Sequence, residues 1–351
     1  MASLAGYYNV NYGKDMAVVR TPAQWGWLIF LLVALVILPM VASRQYLFLA
    51  IDVFGTIIAV HGLNILIGYA GLISLGHVAL VAVGGYTSAI LCTKLGVSFW
   101  IAFPLAGVSA GLVGLLIGLP ALRIKGFYLA AITLAAHFVV MFFIITFYGL
   151  TGGVYGIAAP APTLGDLFAI DTPERYYYLA FLSAVLSTFF AKNLARTKPG
   201  RAFVAIRDND IAAEVMGIDL FQYKALAFFV GSVFAGLSGS LLAHSVGWIS
   251  PEDFPLMRSV WMVGMLIVGG MGHCLGAILG VVFIKGIDQI ATALIPIIGR
   301  IFPNVMISLP VALGQIFFAL AIMFFLVFEP RGLAHRWESI KASYRIWPFR
   351  H

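Results

Sequence analysis

Residues 61–86, HGLNILIGYAGLISLGHVALVAVGGY, place Gly62, Gly68, Gly71, Gly76, Gly84 and Gly85 in an otherwise apolar run whose polar members include His61, Asn64, Ser74 and His77. Glycine at this density serves two ends in a bilayer. It lets helices approach closely, or it breaks a helix so that freed backbone groups line protein or water rather than lipid. Either use requires a crowded interior face.

The rest of the chain supplies the bilayer setting. Its 351 residues are 62% hydrophobic and only 10% charged, with a mean hydropathy of +1.02. A soluble chain of this size needs roughly a quarter of its residues charged, so an ordinary soluble enzyme is excluded. Apolar runs at about 25–42, 46–67, 72–92, 99–119, 127–148, 176–191, 225–246, 260–284, 287–298 and 306–328 have near-spanning length. They are continuous rather than alternating, which excludes a β-barrel. The expected fold is an all-α polytopic membrane protein of about eight to ten transmembrane or re-entrant helices. Cys92 and Cys274 lie in or beside apolar stretches, with no disulfide framework, and no His-x-x-x-His or Glu-x-x-x-His pair suggests a metal.

The net charge of +7 would suggest nucleic acid in a soluble protein; here the basic residues are topology signals instead. Arg123 and Lys125 form one basic connection; Lys192, Arg196, Lys198, Arg201, Arg207 and Lys224 form a second; Arg331, Arg336, Lys341, Arg345 and Arg350 form a third. The segments 150–175 and 247–258 are acidic by contrast, with Asp166, Asp171 and Glu174 in one and Glu252 and Asp253 in the other. The two sets alternate, so the basic connections are expected in the cytoplasm and the acidic ones outside. Residues 1–24 are then a retained cytoplasmic tail, 25–328 the membrane domain with a cytoplasmic segment at 192–224, and 329–351 a basic cytoplasmic tail. Lys14, Asp15 and Arg20 against Arg44 put the N-terminus inside.

A second glycine-rich patch matches the first. Gly68, Gly71 and Gly76 align with Gly269, Gly272 and Gly276, with one residue fewer in the second gap. Paired glycine interruptions are the trace of an internally duplicated transporter whose path runs at the repeat interface. The abundance of glycine, 37 residues, offers chance as the competing explanation. Asp52, His61, His77, His137 and His273 are among the ionisable residues within the runs, and such residues commonly face the protein interior. Each histidine also suits a neutral ring bonded between helices. Asp52, near the outer end of its run, suits solvation. Residues 206–216 read as one short helix closed by Gly217, with Arg207, Asp210 and Glu214 on a polar face and Val204, Ile211 and Val215 on an apolar one. Such a helix between two spans suits a groove on a partner protein. No Gly-x-x-x-x-Gly-Lys-Ser/Thr run occurs, so a nucleotide-driven step has to come from another chain.

The quoted stretch, together with 200–219 (GRAFVAIRDNDIAAEVMGID), 123–134, Thr151-Gly-Gly, 250–254, Gly269-Gly-Met-Gly and 329–333, closely resembles the permease subunits of high-affinity branched-chain amino-acid ABC importers, the LivH/LivM family, and within it the LivM branch. The resemblance covers about residues 45–335. It implies a multi-pass protein of the bacterial inner membrane, paired with a LivH-like permease subunit, two cytoplasmic ATPase subunits that bind the ATP, and a periplasmic substrate-binding protein. It further implies that Arg207, Asp208, Asp210, Glu214 and Gly217 belong to the element that docks on the ATPase. Asn64, Ser74, His77, Thr133 and His137 are candidates for the translocation path, since hydroxyl, amide and imidazole groups can meet a zwitterion without holding it. The substrate expected is a branched-chain amino acid, with urea, short amides and aromatic acids as other cargoes of similar permeases. A stand-alone proton-coupled transporter or channel using Asp52 or the histidines is one rival; an intramembrane hydrolase using Ser74 and His77 is another, although a hydrolase usually takes its base from a separate element.

Overall fold

The computed structural model describes residues 22–121, 126–164, 168–301 and 309–346. Lys14, Asp15, Arg20, Arg123, Lys125, Asp166 and Arg350, together with most of the N-terminal tail, lie outside them. The helices are α1 (Pro22–Val41), α2 (Arg44–Leu63, continued by a π-helical turn Asn64–Tyr69), α3 (His77–Lys94), α4 (Phe99–Ala121), α5 (Phe127–Thr146), α6 (Pro173–Leu194), α7 (Lys198–Asp208), α8 (Asp210–Val215), α9 (Leu220–Val246), α10 (Leu256–Gly269), α11 (Cys274–Ile301), α12 (Leu309–Phe328) and α13 (Gly332–Ile346). Two-residue strands β1 (Ile157–Ala158) and β4 (Trp248–Ile249) pair antiparallel, as do β2 (Thr163–Leu164) and β3 (Phe168–Ala169). The chain is an all-α polytopic membrane protein.

Among the described residues, five helical segments are long and apolar enough to cross a bilayer: Arg44–Tyr69, Phe99–Pro120, Phe127–Thr146, Leu220–Val246 and Cys274–Ala293. Two bent pairs, Pro173–Leu194 with Lys198–Asp208 and Leu313–Phe328 with Gly332–Ala342, raise the number to seven. Burial ranks them. Of the most apolar window, 78% is buried in α2 and 72% in α9, against 33% in α5, so α2 and α9 form the hub and the others surround it. Glycine makes the hub tight. A Cβ on Gly84 of α3 would strike the backbone of Gly236 in α9, and one on Gly62 of α2 would strike the Gly231 carbonyl. Without a hydrophobic drive between helices in lipid, such close backbone approach is what holds spans together. The outer helices turn large apolar residues such as Phe142, Leu182, Phe189 and Leu320 outward.

The helix ends define two faces. On one, Tyr69 of α2 reaches Cys274 of α11, and Gly270 lies against Gly332 and the α12–α13 turn; the basic α7–α8 loop is on this face. On the other, Thr93 donates to the Ala158 carbonyl, Trp248 to that of Tyr155, and β1 pairs with β4. The expected runs differ from the helices in three places, the first being the run at 260–284, which is divided between α10 and α11 at residues 270–273. Residues 70–76 carry no helix, so α3 starts only at His77. The separate run expected at 287–298 does not exist, because α11 continues from Cys274 to Ile301 through Lys285 and Asp288. Those two charges interrupt hydropathy but do not break a helix, and Lys285 has a carboxylate partner.

Candidate translocation and coupling site

The loop between α6 and α9 is built from capped short helices. Thr197 accepts the Gly200 amide at 3.4 Å to open α7, and the pair α6–α7 bends by 69°. Asn209, extended at φ −161°, ends α7, and its Oδ1 accepts the Ala212 amide at 3.0 Å to start α8. Gly217 at φ +84° follows α8, and Asp219 caps α9 through the Gln222 amide at 3.0 Å. The single helix expected over 206–216 is therefore two, divided at Asn209. An Asn at that position satisfies an orphan amide of the second helix as it ends the first.

The division reorients the charges expected on one face. Phe203 and Ile206 are buried against the bundle, and Arg207, itself partly exposed, reaches back to the Gly68 carbonyl. Asp210 lies 3.9 Å from Lys224 of α9, which is nearly buried. Asp208, beside Arg207, accepts its Nε and Nη2 at 3.0 and 2.8 Å. Glu214 stays exposed, in the company of Ile211, Val215 and Met216, the last two 82% exposed. The exposed part of α8 is thus apolar with one carboxylate, Glu214, while Asp208 of α7 is exposed beside it.

Arg207 joins this loop to the first glycine break and lies beside the second. Its Nη1 donates to the Gly68 carbonyl at 2.7 Å. Gly71 and Gly272, aligned in the two patches, both adopt left-handed backbone, φ +69° and +79°, where an L side chain is strained. A Cβ on Gly71 would stand 2.9 Å from Arg207 Cγ, and one on Gly272 3.1 Å from Arg207 Nη1. Asn64 ties the breaks to each other: its Oδ1 accepts the Gly272 amide at 2.9 Å and its Nδ2 donates to the His273 carbonyl at 3.3 Å. Gly68, Gly76, Gly269 and Gly276 each lack room for a Cβ, the last three because a backbone carbonyl, of Thr133, Gly276 and Gly270 respectively, occupies the place.

Comparison with known proteins returns transport permeases. The family described as "Branched-chain amino acid transport system / permease component" matches residues 45–327. This chain belongs to that family. The permease is 35% identical over 287 residues to the high-affinity branched-chain amino acid transport system permease protein LivM of Salmonella typhimurium, and 34% identical over 287 residues to LivM of Escherichia coli K12; each match covers 75% of this chain and 68% of the relative. The autoinducer 2 import system permease protein LsrC of Yersinia pestis (strain Pestoides F) is 29% identical over 152 residues, 41% of this chain and 42% of the relative. No solved structure matches.

The five residues expected along the permease's path are all nearly or fully buried, and four have identified partners or neighbours around the first break. Thr133 of α5 accepts the Leu75 amide at 3.0 Å and donates to the Ala130 carbonyl at 2.9 Å. His77 Nε2 meets the Ala59 carbonyl at 3.0 Å, so its ring is engaged away from Ser74. His137 packs edge-on against Phe138, and a Cβ on Gly76 would reach it. Asn64 is the bridge already described, and Ser74 is 2% exposed. His61 meets Thr188 at 2.9 Å. His273, expected within a run, is exposed in the second break.

A different set of groups reaches the two cavities toward the opposite face. Asp52 is not free in solvent: Lys285 Nζ of α11 lies 2.5 Å from its Oδ2 and Arg258 Nη2 of α10 lies 3.4 Å from its Oδ1. Asp52 sits two turns inside α2, about 12 Å from its start at 1.5 Å per residue. An isolated charge at mid-bilayer costs about 3 kcal/mol on insertion scales, and pairing relieves part of that. Lys285 and Arg258 were not among the expected site residues. The signal was present: the stretch GIDQIATALI after Lys285 has no Gly-Pro turn, so the lysine belongs inside a helix rather than at its end.

Proposed function

We propose that this permease is the membrane-embedded subunit of an ATP-driven, binding-protein-dependent importer of branched-chain or other small amino acids in the bacterial inner membrane. It works with a LivH-like partner permease, two cytoplasmic ATPases and a periplasmic binding protein, and carries out no bond chemistry of its own. The basic face is then cytoplasmic, as basic connections are, with the N-terminal and C-terminal tails on that side. Asn64, Ser74, His77, Thr133 and His137 form the polar framework along the path.

The observation that carries this reading is the placement of Arg207. It bonds the first glycine break and lies beside the second, which Asn64 ties to the first, while Ile211, Glu214, Val215 and Met216 are exposed. An ATPase that moved α8 would pull on both broken spans at once, which is how a stiff element transmits a remote closure. The relatives' names support the cargo: two of them are permeases of branched-chain amino-acid transport.

The test is ATP-driven leucine uptake by the complete assembly in liposomes, with Glu214→Arg beside the wild type. The variant is expected to insert and fold normally, to co-purify poorly with the ATPases and to lose uptake. Normal uptake by the variant removes Glu214 from the contact. Uphill transport by the single chain on a proton gradient replaces the whole reading with a secondary transporter.

A further inference from the structure

Between α2, α10 and α11 lies a cavity of about 380 Å³ whose wall includes Thr56, Arg258, Lys285, Trp261, Met262 and Met265. Asp52 stands behind its two cations through the ion pairs to Lys285 and Arg258. Glu252 and Asp253, in the turn before α10, stand at its mouth. Thr56 adds an independent observation. It is 2% exposed, it lines the cavity, and its buried Oγ1 has no hydrogen-bond partner. A buried hydroxyl without a partner calls for one. Arg258 also borders a second cavity, of about 500 Å³, walled by Phe48, Ile51, Trp248 and Phe254, so it stands between two spaces on the same side of the protein.

The charges are unequal in a useful way. Two cations share one carboxylate at the inner end. Lys285 uses one of its three donors on Asp52, and Arg258 spends donors on Asp52 and on the Asp253 backbone carbonyl, so both have donors left over. The Asp253 carboxylate is occupied by the amide and hydroxyl of Ser250, whereas Glu252 is exposed. A ligand seated here meets excess positive charge inside, a carboxylate at the mouth and thioether and indole surface between. The volume lies at the small end of the range for ligand sites, roughly 300–1,000 Å³.

We propose that Asp52, Arg258, Lys285 and Thr56 form a subsite for a small zwitterion with an apolar side chain, its carboxylate toward Lys285 and Arg258 and its ammonium toward Glu252. The inference rests on the permease reading and places the cargo's first contact on this chain between α2, α10 and α11, away from the buried groups of the first glycine break. Ionisable groups held inside spans are retained for such pathways. The Lys285–Asp52 pair keeps the cations compensated when the cavity is empty, and the arriving carboxylate exchanges with Asp52.

The experiment uses the complete assembly in liposomes with radiolabelled leucine. Lys285→Met is expected to lower uptake at least tenfold and Lys285→Arg to keep it within about threefold of wild type. The swapped pair, Asp52→Lys with Lys285→Asp, restores an ion pair but inverts the site, and uptake is expected to stay at least tenfold down. Recovery of uptake in the swap shows a tie between helices and overturns the subsite. Met257→Trp, at a half-exposed position of the cavity wall, leaves every charge in place and fills the space; it decides the matter if the charge variants do not assemble. Uptake at least tenfold down in Met257→Trp supports the subsite and unchanged uptake overturns it. No amino-acid uptake by the wild-type assembly sinks the permease reading as well, whereas wild-type uptake with unaffected variants sinks the subsite alone.

Discussion

The two glycine breaks share a backbone pattern and differ in what surrounds them. The first, at 68–76, is packed between α2, α5 and the loop helix α7, with Leu75 bonded to Thr133. The second, at 269–276, lies beside the α12–α13 turn, where Gly332 presses on Gly270, and it leaves His273 exposed. In both, the middle glycine is left-handed and faces the flexible side chain of Arg207, and the following glycine faces a backbone carbonyl. A local pattern can thus be duplicated while its environment is not. At the middle positions the neighbour is a flexible side chain that can yield, whereas at the following ones it is backbone that cannot.

The largest effect expected follows from the carbonyl contacts. Gly76→Ala drives a Cβ into the Thr133 carbonyl, and Gly276→Ala drives one into that of Gly270. Overpacking against backbone costs about 3 kcal/mol, so both variants should lose most folded protein in detergent, as read by thermal unfolding on gel filtration. The comparison is sharpened if Gly76→Ala is the worse, because its wall belongs to the packed core, and broken if either is tolerated.

Next in size is Arg207→Ala. It removes a charge-assisted bond to the Gly68 carbonyl, about 2 kcal/mol, and detaches α7 from the first break. Uptake by the full assembly should fall at least tenfold with insertion preserved. Arg207→Lys should restore little of it, because an ammonium cannot reach the Gly68 carbonyl and Asp208 with the geometry of a planar fork. Uptake unchanged in Arg207→Ala would separate the loop from the breaks.

Gly71→Ala and Gly272→Ala come third. Each forces alanine into left-handed backbone at a cost of about 1–2 kcal/mol, with an added steric part from Arg207. The double variants with Arg207→Ala test the division: the steric part should vanish and the backbone part remain, so the combined loss in unfolding free energy should be smaller than the two single losses together. Strict additivity would mean that Arg207 does not press on either glycine.

Much of this was legible in advance because it is written locally. Membrane-length apolar runs, glycine spacing and the closure of α8 at Gly217 are properties of short windows, and family resemblance extended them to the whole chain. The pairing of Gly71 with Gly272 was visible as spacing alone. What could not be read locally depends on partners distant in sequence. Asp52 resembled a solvated end residue because its counter-charges lie 206 and 233 positions away. Lys285 ended an apolar run on paper, although a carboxylate on another helix lets it stay inside one. Arg207 read as sharing one polar face with Asp210 and Glu214, but Asn209 divides the helix and Arg207 reaches the Gly68 carbonyl.

That break supplies the smallest effect and the finest test. Asn209→Ala removes the side chain that accepts the Ala212 amide and should cost about 1 kcal/mol, too little to unfold the protein. Its consequence should fall on α8 alone: without the cap, residues 206–216 are free to form the continuous helix that their periodicity favours, which would rotate Glu214, Val215 and Met216 relative to Arg207. Uptake should fall severalfold with thermal stability nearly unchanged, and Asn209→Asp, which keeps an N-cap acceptor, should recover it. If Asn209→Ala transports normally, the relative phase of the two short helices does not matter, and the first glycine break communicates with the loop through Arg207 alone.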